Sequence, residues 1–200
     1  MDTYLPLRMP DLSFILQAEF DFDQKDLNLF YSHLTVKVLK KGDHFLSEGS
    51  IPKYFGFIEY GSVVYYQISD GDKIAIDFAF ENSWVTDLVS LNEQVPTEMN
   101  IEALEETSLL CITKDSLDEI LEKLPKLYKV KNHYVERSFA KISAHERRML
   151  SKSAKSRYLD LITQYPHLPE RIPQYHLASY LGIKPQSLSR IRNELSKYGN

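Results

Sequence analysis

YHLASYLGIKPQSLSRIRNEL, residues 175–195, carries the strongest local signal in the chain. Gly182 separates two runs of helical apolar spacing, the second marked by Leu188, Ile191 and Leu195. Pro173 suits the first turn of the leading helix, where its missing N–H would have no partner, and Gly182 is a natural stop. Lys184 and Pro185 then open a second helix. Ala178 is small where the two helices would cross, and Leu177, Leu181 and Ile183 supply the shared core. This is the spacing of a helix-turn-helix.

In that geometry the first turns of the second helix enter the major groove of DNA, so Gln186, Ser187, Ser189 and Arg190 are the candidate reading residues. Arg190 suits a guanine edge, because a guanidinium donates two parallel hydrogen bonds, and Gln186 suits adenine in the same bidentate sense. Lys184, Ser187, Arg192 and Lys197 are better placed for phosphates, which position a helix without reading sequence. The alternative for each is an ordinary solvated polar residue.

Charge supports this division of labour. The chain of 200 residues has a formal net charge of -4, but residues 151–200 hold 8 Lys and Arg against 3 Asp and Glu, leaving 16 against 25 in residues 1–150. A basic module on an acidic body attracts phosphate through its local field, whatever the total; a merely solvated basic face has the same composition. A hydrophobic content of 43%, with 13 Tyr and 10 Phe, indicates a folded globular protein. No apolar run approaches the ~20 residues that span a bilayer, and the N-terminal stretch lacks a basic region ahead of its apolar residues, so a cytoplasmic location is expected. The single cysteine, Cys111, is expected in the core, since it cannot form an internal disulfide or hold an iron–sulfur cluster alone.

Upstream, residues 11–34 read as helical, with Asp23 as a cap ahead of Leu27, Phe30, Tyr31 and Leu34. From about Val36 to Ile112 the period becomes two, and Ile74, Ile76, Phe78 and Phe80 share one side of a strand. SDGDK, residues 69–73, is a hairpin turn signal. Gly42, Gly49, Gly56, Gly61 and Gly71 place five of the seven glycines here, at the spacing of a compact antiparallel barrel or sandwich. A helix follows at residues 114–124, capped by Asp115 or Ser116. After Pro125 no glycine or proline occurs until Pro166, which permits a long helix broken near residues 151–156. Tyr128, Val135, Ile142 and Met149 recur on it every seventh residue with Phe139 beside them, so this side can pair with a second copy; a helix packed on its own β domain shows nearly the same stripe.

With a β domain, a long helix and a terminal helix pair in this order, the chain resembles the Crp/Fnr family of bacterial transcription regulators over about residues 35–196. Residues 40–66, KKGDHFLSEGSIPKYFGFIEYGSVVYY, look like that family's cyclic-nucleotide-binding β-roll; residues 179–195 look like its recognition segment. The resemblance implies an α+β fold: an N-terminal antiparallel, jelly-roll-like β-roll with flanking helices over residues 1–124, a dimerisation helix over 125–151, and a helix-turn-helix domain over 152–200 without a full wing. It implies a homodimer reading palindromic double-stranded DNA with the helix over 185–197, RNA polymerase as a further partner, and no enzymatic activity.

Besides the missing full wing, two departures qualify what the resemblance implies. Members that bind cyclic AMP grip it with a Gly-Glu pair and an Arg-Ser pair, whereas here Asn82 and Ser83, then Thr97 and Glu98, are expected at those places. A carboxylate opposes a phosphate, so cyclic AMP is not the expected effector. Cys111 and the scattered histidines do not make an iron–sulfur or haem sensor, and no cofactor or metal is expected. The roll either holds another small ligand, lined by Ser83, Thr86, Thr97 and Glu98, or is a scaffold only. Two other classes compete. A cupin-like metal enzyme needs several histidines in the barrel, where only His44 stands; a ligand-binding or interaction module would use the basic terminus on an acidic protein.

Overall fold

The computed structural model describes residues 11–198, with side chains through Ser196. Two helices come first, α1 (Leu12–Phe20) and α2 (Gln24–Tyr31). Asp11 caps α1 by accepting the Phe14 N–H at 2.9 Å, and Asp23 caps α2 in a reciprocal box with Asp26. Strands β1 (Thr35–Leu39), β2 (His44–Leu46), β3 (Tyr54–Tyr60), β4 (Val63–Ser69), β5 (Asp72–Ala79) and β6 (Trp84–Val85) follow. Helix α3 (Leu88–Glu93), strands β7 (Asn100–Ala103) and β8 (Thr107–Thr113) and helix α4 (Lys114–Lys123) complete the antiparallel β domain. The long helix α5 (Leu127–Ser151) leads to α6 (Ala154–Gln164), the short α7 (Leu168–Arg171), α8 (Gln174–Tyr180) and α9 (Pro185–Tyr198). The fold is α+β, as the order of periodicities predicts.

The chain forms two compact units. The first comprises, of the described residues, 11–63 and 79–135. Its sheet has the order β1-β8-β3-β6, all antiparallel, and β2 pairs antiparallel with β7. Strand β8 is interior to the sheet and buried along almost its whole length, which explains its unbroken apolar run, LLCI. Helices α1, α2, α4 and the start of α5 cover Phe57, Leu110 and Ile112 with Leu16, Phe30, Leu117, Ile120, Leu121, Leu127 and Val130. Each such side chain contributes roughly 1.5–3 kcal/mol by leaving water. Cys111 is fully buried, and burial pushes its thiol pKa up to about 12, so it stays protonated.

Several expectations shift in detail. The cap of α4 is Thr113, which accepts the Ser116 N–H at 3.2 Å; neither Asp115 nor Ser116 occupies that position. Helix α3 interrupts a stretch whose period suggests strand, because Asp87 caps a short helical run there. Gly56 is not a turn residue: it lies within β3, and a Cβ there would stand 3.0 Å from the Phe45 ring. Ile74 and Ile76 are exposed while Ala75, Phe78 and Ala79 are buried, so the residues expected to share one side of a strand do not share one environment, and burial along β5 follows what packs at each point.

The second unit comprises, of the described residues, 64–78 and 136–198. Its hairpin of β4 and β5 turns at Asp70 and Gly71, with φ of 52° and 85°, the paired positive values of a tight hairpin turn. Helix α5 ends at Ser151, and Ser153 caps α6 by accepting the Ser156 N–H at 3.2 Å, so the expected break has a capping cause. Leu177 and Ala178 on α8, Leu181 after it, and Leu188 on α9 form the buried seam of the terminal helix pair.

Candidate nucleic-acid interface and effector region

The turn between α8 and α9 is closed by backbone geometry. Gly182 has a φ of 65°, its N–H donates to the Ser179 carbonyl at 2.8 Å, and the Ile183 N–H donates to the Ala178 carbonyl at 3.0 Å. That pair of bonds, with a left-handed residue between, is a Schellman stop. Arg157 braces it from α6, donating to the Leu181 carbonyl at 2.8 Å and the Lys152 carbonyl at 2.6 Å. Gln174 at the head of α8 donates to the Pro185 carbonyl at 3.1 Å. The two helices are therefore tied at both ends of their turn.

With Leu188 buried as the pin, Lys184, Gln186, Ser187, Arg190 and Arg192 are exposed and Ser189 is half-buried. Lys197 lies on α9, but its side chain falls outside the described ones. Among the described residues, the side chains of Lys184, Gln186, Arg190 and Arg192 make no hydrogen bond or ion pair within the chain. The one carboxylate on α9, Glu194, is engaged by Lys155 at 3.4 Å. The outer face of α9 thus presents unneutralised donors on a rigid rod, the condition for capturing phosphate and base edges.

On α5, Tyr128, Val135, Phe139 and Ile142 are exposed, Phe139 by 71%. Met149 is half-buried and turns toward Gly182, where a Cβ would meet its methyl at 2.7 Å. Leu150, which a strict seven-residue count passes over, is 90% exposed. Such a row of apolar side chains in water is unusual on a single helix.

The four candidate effector residues are not brought together. Thr97 is buried, and its hydroxyl donates to the Asp87 carboxylate at 2.7 Å, which also accepts the Ser90 hydroxyl at 2.8 Å. Burial opposes ionisation of Asp87, but the hydrogen bonds from Thr97 and Ser90 outweigh it and hold the carboxyl below its ordinary range. Thr86 donates to the Tyr54 carbonyl at 3.0 Å and lines a surface groove of about 250 Å³ with Lys37, His44, Ile51 and Tyr54. Ser83 is half-buried and Glu98 exposed, and neither lines that groove. Asp87 is the residue that sequence reasoning missed; an Asp directly before the apolar run LVSL was its available signal.

Replacing Asp87 with alanine removes the α3 cap and leaves the buried Thr97 hydroxyl without its acceptor, an expected loss of about 1–3 kcal/mol in urea unfolding. Because the folded carboxyl is more acidic than the unfolded one, its contribution is complete above about pH 4 and falls away as pH drops through the folded value. Asp87→Asn should flatten that acid limb, and an unchanged limb would contradict the role.

Comparison with known proteins agrees with this architecture. Residues 36–124 match the model of the cyclic nucleotide-binding domain. The chain is Crp/Fnr-like in fold: a domain of that type, then a long helix and a terminal helix-turn-helix. It is similar to the c-di-GMP-responsive global regulator CLP of Xanthomonas campestris, at 14% identity and a TM-score of 0.74, covering 88% of this chain and 93% of that one. FixK2 of Bradyrhizobium japonicum matches at 16% identity and a TM-score of 0.72, covering 83% of this chain and 86% of that one. A putative Crp/Fnr-family transcriptional regulator of Eubacterium rectale matches at 18% and 0.68, covering 90% of this chain and 86% of that one. No curated protein matches the sequence. Among the described residues, no group of three His, Cys, Asp or Glu side chains is placed to hold a metal, and no helix is long and apolar enough to cross a membrane.

Proposed function

We propose that this protein is a sequence-specific, DNA-binding transcription regulator of the Crp/Fnr type, not an enzyme, acting in the cytoplasm as a homodimer joined along α5. Its two copies of α9 read a palindromic site in successive major grooves, about 34 Å apart. The observation that carries the reading is the outer face of α9, where Lys184, Gln186, Arg190 and Arg192 stand without partners among the described residues over a buried Leu188. Arg190 and Gln186 read bases, and Lys184, Ser187, Arg192 and Lys197 hold the backbone. Ser189, half-buried, flanks the reading residues.

The effector, where one acts, is not cyclic AMP. Thr97 and Asp87 satisfy each other, and no cation stands among the groups bonded to that carboxylate to meet a cyclic phosphate. Ser83, Thr86, Thr97 and Glu98 remain candidates only for a ligand that rearranges this segment. RNA polymerase is the further partner this reading implies.

A gel-shift selection with genomic fragments at two salt concentrations tests the proposal. Retention should weaken steeply with salt, because bound Lys and Arg displace condensed counterions. Arg190→Ala should cost about 1–3 kcal/mol and relax preference at one base pair of each half-site, whereas Lys184→Ala should weaken all sequences alike. Undiminished discrimination in Arg190→Ala refutes the assigned role, and no retained fragment at low salt refutes the function.

A further inference from the structure

Within the second unit, helix α5, strand β5 and helix α8 meet around His145, a residue the DNA-binding reading does not use. Its half-buried ring stacks on Tyr180, with centroids 4.2 Å apart and an interplanar angle of 20°. Tyr180 is buried and meets Phe78 of β5 edge-on at 5.2 Å. One turn back along α5, the Lys141 ammonium donates to the Phe78 carbonyl and pairs with the Asp77 carboxylate, both at 2.7 Å. Beside Tyr180, the Ser179 hydroxyl accepts the Ala75 N–H at 2.9 Å and donates to the Lys73 carbonyl at 3.3 Å. A side chain of α8 thus takes the place of a neighbouring strand along β5.

We propose that His145 is a proton-sensitive latch: its neutral ring clips α8 onto the hairpin of β4 and β5, and protonation releases α8 and, with it, α9. The charged groups facing the imidazole are Asp77 on β5, Lys141 and Arg148 on α5, and Arg157 on α6. A proton taken up here is resisted most by burial; Asp77, itself paired with Lys141, favours it, and Arg148, Arg157 and Lys141 oppose it. The pKa accordingly lies below the ordinary histidine value of 6.5. The unlatched form binds the proton more readily, so the latch is complete above about pH 6.5 and is lost as pH falls through the latched value. The latch itself rests on these contacts alone; its consequence for DNA rests on the function proposed above.

Amide exchange of Ala75, expressed as protection over its intrinsic rate, reads the latch without any DNA. Between about pH 7.5 and about pH 5.5 protection in the wild-type chain should fall, by up to about tenfold, because the window ends about one unit below the ordinary histidine value. His145→Phe keeps a neutral ring on Tyr180, so its protection should hold at both values. His145→Gln loses the stack and should be poorly protected at both. Wild-type protection that does not fall, or an equal fall in His145→Phe, overturns the latch. In gel shifts the wild type should lose affinity on acidification relative to His145→Phe. Failure of both chains to retain DNA would sink the proposed function and leave the exchange result standing.

Discussion

Gly61→Ala should remove a large share of the stability of the folded chain. Gly61 joins β3 to β4 with a φ of 95°, and a Cβ there would stand 2.5 Å from the Thr107 hydroxyl, 2.6 Å from the Glu106 carbonyl oxygen and 2.7 Å from the Thr107 Cα. The left-handed backbone costs an alanine about 1–2 kcal/mol, and displacing a buried strand adds roughly 1–3 more. Against a total stability of about 5–15 kcal/mol, that sum is severe. Thr107 cannot yield easily, because it is fully buried and its hydroxyl accepts the Ser62 N–H at 3.2 Å. Gly42→Ala is the control. Its φ is 89° but no atom lies within 4 Å of its added Cβ, so it should lose only the backbone part. Equal urea midpoints for the two variants would show that the close approach at Gly61 is not what matters.

Phe139→Glu combined with Ile142→Glu should convert a dimer into single chains. Both side chains are exposed on α5, so the substitutions cost the isolated subunit little, whereas a paired seam would bury two unmatched charges. Sedimentation should then report the mass of one chain at concentrations where the wild type reports two. Affinity for a palindromic fragment should fall by about 10²–10⁴, the advantage that a joined second half-site confers. A variant that sediments like the wild type would place the dimer elsewhere, or nowhere. A wild type that is itself a single chain would remove the homodimer from the proposed function.

The parts of this protein that local chemistry dictates are legible in its sequence. The helix-turn-helix was the clearest, because Pro173, Gly182 and Pro185 act on their own backbone and the apolar residues between them repeat at helical spacing. The exposed face of α9 followed, since its polar positions are whatever Leu188, Ile191 and Leu195 leave over. The break after α5 was legible as a serine-rich stretch, and Ser153 proved to be its cap. The effector region was read less well. Asp87 was overlooked because its importance comes from Thr97, ten residues on, whose hydroxyl it accepts across a turn.

From sequence alone came the order of elements, the basic terminus and the class of fold, because helical and strand periods and capping residues act over a few neighbours. Only the tertiary structure decided which residues of β5 are buried, why Gly61 must lack a side chain, and that Ser179 bonds Ala75 and Lys73 more than a hundred residues away in the chain. Those are meetings between distant segments. Periodicity is blind to them, since a strand's two faces differ only by what packs against each, and a hydroxyl's partner is set by where the chain returns.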